Sequence, residues 1–301
     1  MDVVAWLLDG DVAVEWQVRR DLLGQPASLY MPVRDRVPEE GWGAVLMGAR
    51  GDNGLWADGW YSPKWVSTFY TLQTLGALGV PADHPQARAS VELLLDRALT
   101  EDRSGRWPNW ARDICVAGML VRTSAAFGLV ADPRVDALIS YVLAHQLADG
   151  GWNCQSTRGR VSHSSFHTTI SVLEGLHAAG TGESEQVAGR EFLLQHHLFR
   201  SHRTGEIVHP GLTSFSFPRY WYYDVLRALE HFALAGADRD HRAAEAVELL
   251  RGRRRPDARW NLGRRHTGRT WLTMERGGQP SRMITLGALR VLNWWAEPES
   301  P

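Results

Sequence analysis

The sequence predicts an all-α fold in which helix pairs repeat and close into an α/α toroid of six inner and six outer helices, with residues 1–301 forming one domain. Three observations carry this. A Gly-x-Trp turn stands at Gly54 to Trp56, Gly105 to Trp107 and Gly150 to Trp152, with weaker copies at Gly205 to Ile207 and Ala258 to Trp260, about 50 residues apart. After each turn comes a helix rich in small and apolar residues, and after that a second helix with a charged stripe. No segment alternates with period two long enough to argue a sheet.

The elements follow in order. "VVAWLL" is a short helix that pairs with the last one, and "DVAVEWQVRRDLLG" and "PVRDRVPEEGWGAVLMGA" form the N-terminal helices. The inner helices are "WVSTFYTLQTLGALG", "DICVAGMLVRTSAAFGL", "FHTTISVLEGLHAAG", "YWYYDVLRALEHFALAG" and "RMITLGALRVLNWW". They are apolar nearly all round, as buried helices are. Most stop at a glycine (Gly79, Gly128, Gly180, Gly236), where a left-handed residue ends a helix. Outer helices such as "HPQARASVELLLDRAL" and "PRVDALISYVLAHQ" start at polar and proline signals. Trp56, Trp107, Trp152 and Trp260 are expected in equivalent corners, each packing its loop against an inner helix. An open solenoid would leave the apolar inner face wet, so the ring closes around a cavity lined by inner-helix starts and long loops.

Composition excludes several classes. A 301-residue chain with 44% hydrophobic residues can bury a sizeable core, and no run reaches the ~18 apolar residues of a membrane span. The start "MDVVAWLLDGD" lacks the pattern of a secretory signal, which places the protein in the cytoplasm. A net charge of −1 offers no field for nucleic acid, and the basic run "RGRRRPDARW" reads as a solvated surface. Cys115 and Cys154 are the two cysteines, and Lys64 is the only lysine among 33 basic residues.

"QLADGGW", Gln146 to Trp152, resembles the Gln-x-x-x-Gly-x-Trp turn of squalene and oxidosqualene cyclases, and the repeat as a whole looks like the toroid shared by those cyclases and the β subunits of protein prenyltransferases. The cyclases protonate their substrate with an Asp-x-Asp-Asp type motif. This chain has none; "DGD" at Asp9 to Asp11 and "DRD" at Asp238 to Asp240 sit in turns and read as caps. The prenyltransferase resemblance implies more. That family takes zinc ligands from an Asp-x-Cys at one inner-helix start and a His at the next, which here are Asp113, Cys115 and His167, with Cys154 and His163 in reserve. Carboxylate, thiolate and imidazole would leave a fourth zinc position open for a thiol or another nucleophile.

The same resemblance makes Lys64 the basic group for an isoprenoid diphosphate; the Arg and Lys that precede the family's Asp-x-Cys have no counterpart here, and Arg106, Arg112, Arg219 and Arg282 are the cations that could substitute for them. Tyr61, Trp65, Trp110, Phe166 and the run Tyr220, Trp221, Tyr223 offer a π-faced wall for a prenyl chain or carbocation. The leading expectation is a zinc-dependent, prenyltransferase-like enzyme acting on an apolar isoprenoid substrate. Family β subunits work with a helical-repeat α subunit, so a helical-repeat protein is the implied partner. Two alternatives stand beside it: a carbohydrate-active toroid with Asp113 and Asp224 as paired carboxylates, and a non-catalytic toroid that holds a lipid or a partner protein.

Overall fold

A computed structural model describes residues 2–102, 105–263 and 266–296. Among them the α-helices run α1 Val3–Leu8, α2 Val12–Asp21, α3 Ala27–Asp35, α4 Gly41–Gly48, α5 Thr68–Leu78, α6 Pro85–Leu99, α7 Ile114–Ala126, α8 Pro133–Ala144, α9 Phe166–Ala179, α10 Glu183–Gln195, α11 Val225–Leu234, α12 Ala244–Gly252 and α13 Arg282–Trp295. The only ladder among the described residues pairs Trp260–Asn261 with Pro280–Ser281. No described helix is long and apolar enough to cross a membrane.

Six helices close a ring. α5 packs on α7, α7 on α9, α9 on α11, α11 on α13 and α13 on α2. The last contact, α2 with α5, is made by the Trp16 indole donating to the Leu78 carbonyl at 2.8 Å. α6, α8, α10 and α12 lie outside, each beside the inner helix it follows. Backbones meet most closely between α7 and α9. A Cβ at Gly175 would stand 2.4 Å from the Gly118 carbonyl oxygen, and one at Gly118 would stand 2.7 Å from that of Ser171, so only glycine fits.

The corners obey one rule. Trp56, Trp152 and Trp260 are each 0% exposed, and their indoles donate to the carbonyls of Leu46, Val142 and Leu250, ten residues back. Their backbone N–H groups donate to the hydroxyls of Thr68, Thr169 and Thr285 at the start of the next inner helix, 3.0 Å in each case. Gln146 ties its turn down by donating to Gly150 and to Glu185 of the next outer helix. Trp107 departs from the expected equivalence. It is half-buried against Tyr141, because Ile114, Cys115, Val116 and Ala117 at the start of α7 offer no hydroxyl to receive its N–H.

Three expected helices change their bounds. The second N-terminal helix, expected from Pro32, divides into α3, which holds Pro32 in its interior, and α4, with a turn through Pro38 between them. α5 begins at Thr68 rather than Trp65, and α11 at Val225 rather than Tyr220, since Trp65 and Tyr220 hold left-handed φ of 71° and 50°. The "YWYY" run is therefore a loop.

Candidate functional site: a charged central cavity

The inner helices are not apolar all round. α7 carries Arg122, α9 carries Glu174, α11 carries Arg227 in its first turn and Glu230 at mid-length, and α13 carries Arg290. Together with Arg219, from the loop before α11, these side chains line a cavity of about 280 Å³ inside the ring. Glu174 accepts from Arg227 Nε at 2.8 Å and Nη2 at 2.7 Å, and from Arg122 Nη1 at 2.5 Å. Arg219 pairs with Glu230, which Arg290 also approaches at 3.4 Å. Arg290 turns its remaining donors to Asp21 and to Gln17 Oε1 on α2.

Burial alone would raise the Glu174 pKa, but the Arg227 and Arg122 guanidiniums outweigh it and hold this carboxyl well below the usual range. It stays ionised. His231, 2% exposed beside the same cavity, is pushed down to about 3 by burial and stays neutral. Four guanidiniums thus face Glu174 and Glu230, with Asp21 of α2 as a third carboxylate on Arg290, which leaves an excess of one positive charge in a space that also presents Phe217, Pro218, Tyr220, Leu234 and Met283. Leu234, 64% exposed, marks the rim.

Of the residues singled out from the sequence, Arg219 and Tyr220 line this cavity. Lys64 is exposed, with its ammonium 5.8 Å from the Trp65 ring centroid. Arg282 donates to the Trp6 carbonyl at 3.1 Å and lies over the Trp6 ring. The aromatics mostly stack on one another. Trp65 lies 4.7 Å from Tyr220 and 4.8 Å from His266, Tyr222 is 4.4 Å from His266, and Trp221 is 3.8 Å from Tyr222. Tyr61 stacks on Trp110 at 5.7 Å. Phe166 and Tyr223 pack together, with Phe166 also against Phe192 of α10.

The three residues expected to bind zinc are not brought together. Among the described residues no group of three or more His, Cys, Asp or Glu side chains is spaced to hold a metal ion. Asp113 pairs with Arg158 at 2.6 Å, His163 is exposed, and His167 turns toward α11, its Nδ1 accepting the Tyr223 N–H at 2.8 Å. The reason is helical phase. Thr168 is the α9 residue that meets the Cys154 sulfur, at 3.4 Å, and its predecessor on a 3.6-residue turn must point elsewhere. Cys154 instead meets Cys115, whose N–H donates to its sulfur at 3.2 Å. The hydrogen bond from the Cys115 side chain, with those from Thr168 and the Cys115 N–H, outweighs burial and lowers the Cys154 thiol to about 7, while Cys115 is pushed up. Asp224, the other carboxylate of the alternative pair, is buried as the cap of α11, accepting from Arg227 N at 2.9 Å and from both donors of Ser216 at 3.1 Å.

Fold and site define a class: an α/α toroid with a net-positive central cavity. In solved structures the chain is similar to the type II terpene cyclase MstE from Scytonema, at 14% identity and a TM-score of 0.33, over 83% of this chain and 94% of that one. It is likewise similar to a variant of MstE in complex with geranylgeranyl dihydroxybenzoate, its substrate, at 15% identity and a TM-score of 0.32, over 72% and 78%. No protein-family model and no curated protein matches the chain. The toroid assignment rests on the ring of contacts within the molecule itself.

Proposed function

We propose that the central cavity binds a short isoprenoid-type diphosphate or a closely related apolar anion. The guanidiniums of Arg219, Arg290 and Arg122 take the negative end, and Phe217, Pro218, Tyr220 and Met283 take the hydrocarbon. The observation that carries this reading is the excess of arginine over glutamate in a space whose other walls are apolar. A volume of about 280 Å³ lies just below the ~300 Å³ at which pockets for drug-sized ligands begin, which favours a short chain.

The chemistry such a wall supports is departure of a diphosphate, whose growing charge arginines stabilise. Glu174, held ionised, is poorly suited to protonate an alkene, so the reading favours transfer of a prenyl group to a nucleophile over protonation-started cyclisation.

Calorimetry with geranyl diphosphate, dimethylallyl diphosphate, geraniol and inorganic pyrophosphate tests it. The two prenyl diphosphates should bind at one per chain, and better than geraniol or pyrophosphate. Arg219→Gln should weaken geranyl diphosphate by about tenfold or more, the usual worth of a charged hydrogen bond, while Lys64→Ala leaves it unchanged. No binding by folded wild-type protein, or loss with Lys64→Ala alone, overturns the assignment. Pyrophosphate release in the presence of a small thiol separates a transferase from a binding toroid.

A further inference from the structure

The two cysteines come from segments 39 positions apart and meet. Cys115 is the second residue of α7, and Cys154 stands in the loop just past the Gly150–Gly151–Trp152 corner. The Cys154 sulfur accepts the Cys115 backbone N–H at 3.2 Å. It also lies 3.4 Å from the Thr168 hydroxyl, which accepts the Cys154 N–H at 3.4 Å and has a proton of its own to offer the sulfur. A backbone N–H and a hydroxyl thus converge on one sulfur at a helix start, where the helix N-terminus favours negative charge. Both residues are half-buried, neither is in a disulfide, and they are the only two cysteines in the chain. Ordinary core packing needs no such convergence, and among the described residues no group of three or more His, Cys, Asp or Glu spaced to hold a metal ion includes the pair.

We propose that Cys154 and Cys115 are a peroxide-reactive dithiol, with Cys154 the attacking sulfur and Cys115 the resolving one. The Cys154 thiolate attacks hydrogen peroxide: an S–O bond forms, the O–O bond breaks, and the departing hydroxide takes a proton and leaves as water. The Cys115 sulfur then attacks the Cys154 sulfenic acid, its thiol proton leaving with the hydroxyl as a second water, and the S–S bond forms. Two thiols are oxidised by two electrons and one peroxide is reduced to two waters; an external dithiol reverses the change. The bond ties the start of α7 to the corner that leads into α9, across the ring's closest helix pair. The small size of peroxide suits a half-buried pair.

The test uses the full chain, reduced, desalted and treated with hydrogen peroxide, with free thiols counted after denaturation and peptides mapped by mass. Both thiols should vanish together, the chain should lose two hydrogen atoms without dimerising, and one peptide pair should link Cys115 to Cys154; dithiothreitol should restore both thiols. In Cys115→Ser the reaction should stop at a Cys154 sulfenic acid that dimedone traps. In Cys154→Ser, Cys115 should react about tenfold more slowly or less. Four results overturn the proposal: two unreactive thiols, disulfide-linked dimers, a Cys154 sulfinic acid beside a free Cys115, or thiols protected by one tightly held zinc per chain.

Discussion

The aromatic end of the barrel and its charged middle are built on opposite terms. Around Trp65, Tyr220, His266, Tyr222 and Trp221 the rings stack on one another in turn, leaving spaces of about 50 Å³ and 200 Å³ beside them. Around Arg122, Glu174, Arg219, Arg227, Glu230 and Arg290 the partners are fixed charges, and a cavity stays open among them. Dispersion between rings is shared over many contacts, so losing one ring is tolerated. A buried ion depends on its one or two counter-ions. The sequence is densest in aromatics at the end where rings stack on one another, while the larger cavity lies among the charges.

The sharpest way to break this comparison is to remove one member from each region. Glu174→Gln leaves Arg227, fully buried, and Arg122 without their shared carboxylate, and should cost about 3–5 kcal/mol in urea unfolding. Trp221→Leu, a half-buried ring stacked on Tyr222, should cost about 1 kcal/mol or less. If the tryptophan proves the costlier of the two, the aromatic end holds the barrel together and the ionic network is incidental.

A second comparison sharpens the repeat rule. Trp152→Phe removes the indole donor in a fully buried corner and leaves the Val142 carbonyl only the His145 N–H at 3.2 Å, which should cost about 1–3 kcal/mol. Trp107→Phe, in the corner that lacks the threonine, should stay within ~0.5 kcal/mol. Equal losses in thermal unfolding would mean that the Trp107 corner is held as the others are.

The corners were legible because everything they need is close in sequence: a turn glycine, the tryptophan, a threonine in the next helix, and for Trp152 the Gln146 four residues before the Gly150 it holds. The ring was legible too, since each inner helix is apolar over most of its surface and needs neighbours on several sides. The cavity was not. Its ions lie one or two to a helix, in "LVRTSAA", "VLEGL", "VLRALEH" and "ALRVL", and pair across helices, so in the sequence each reads as a stray charge in an apolar segment. That stray charge, recurring in one inner helix after another, was the available signal. Helical phase hid the rest: the placement of His167 against Thr168, and of Tyr220 outside α11, turns on single backbone angles that no residue pattern displays.

The least of the expected effects probes whether the cavity wall is as dry as its geometry implies. His231 faces Glu174, His177, Arg190 and Arg227, and burial lowers its pKa from 6.5 to about 3. Between those values the unfolded chain binds a proton that the native imidazole refuses, so stability is complete above pH 6.5 and falls as the pH drops toward 3. The slope for one proton is somewhat more than ~1 kcal/mol per pH unit. Glu174, its pKa depressed by Arg227 and Arg122 against the cost of burial, adds a loss only below its ordinary 4.5. Half-buried His196, also lowered by burial, contributes in the upper window, so the wild type alone does not isolate His231. His231→Gln removes one of these protons and leaves the others. Urea unfolding at pH 7, 6 and 5 should show the gap between variant and wild type shifting in the variant's favour by about 1 kcal/mol over the last unit. A gap that stays constant with pH would mean that the native His231 takes up its proton as readily as the unfolded one, and that the wall beside Glu174 is wet.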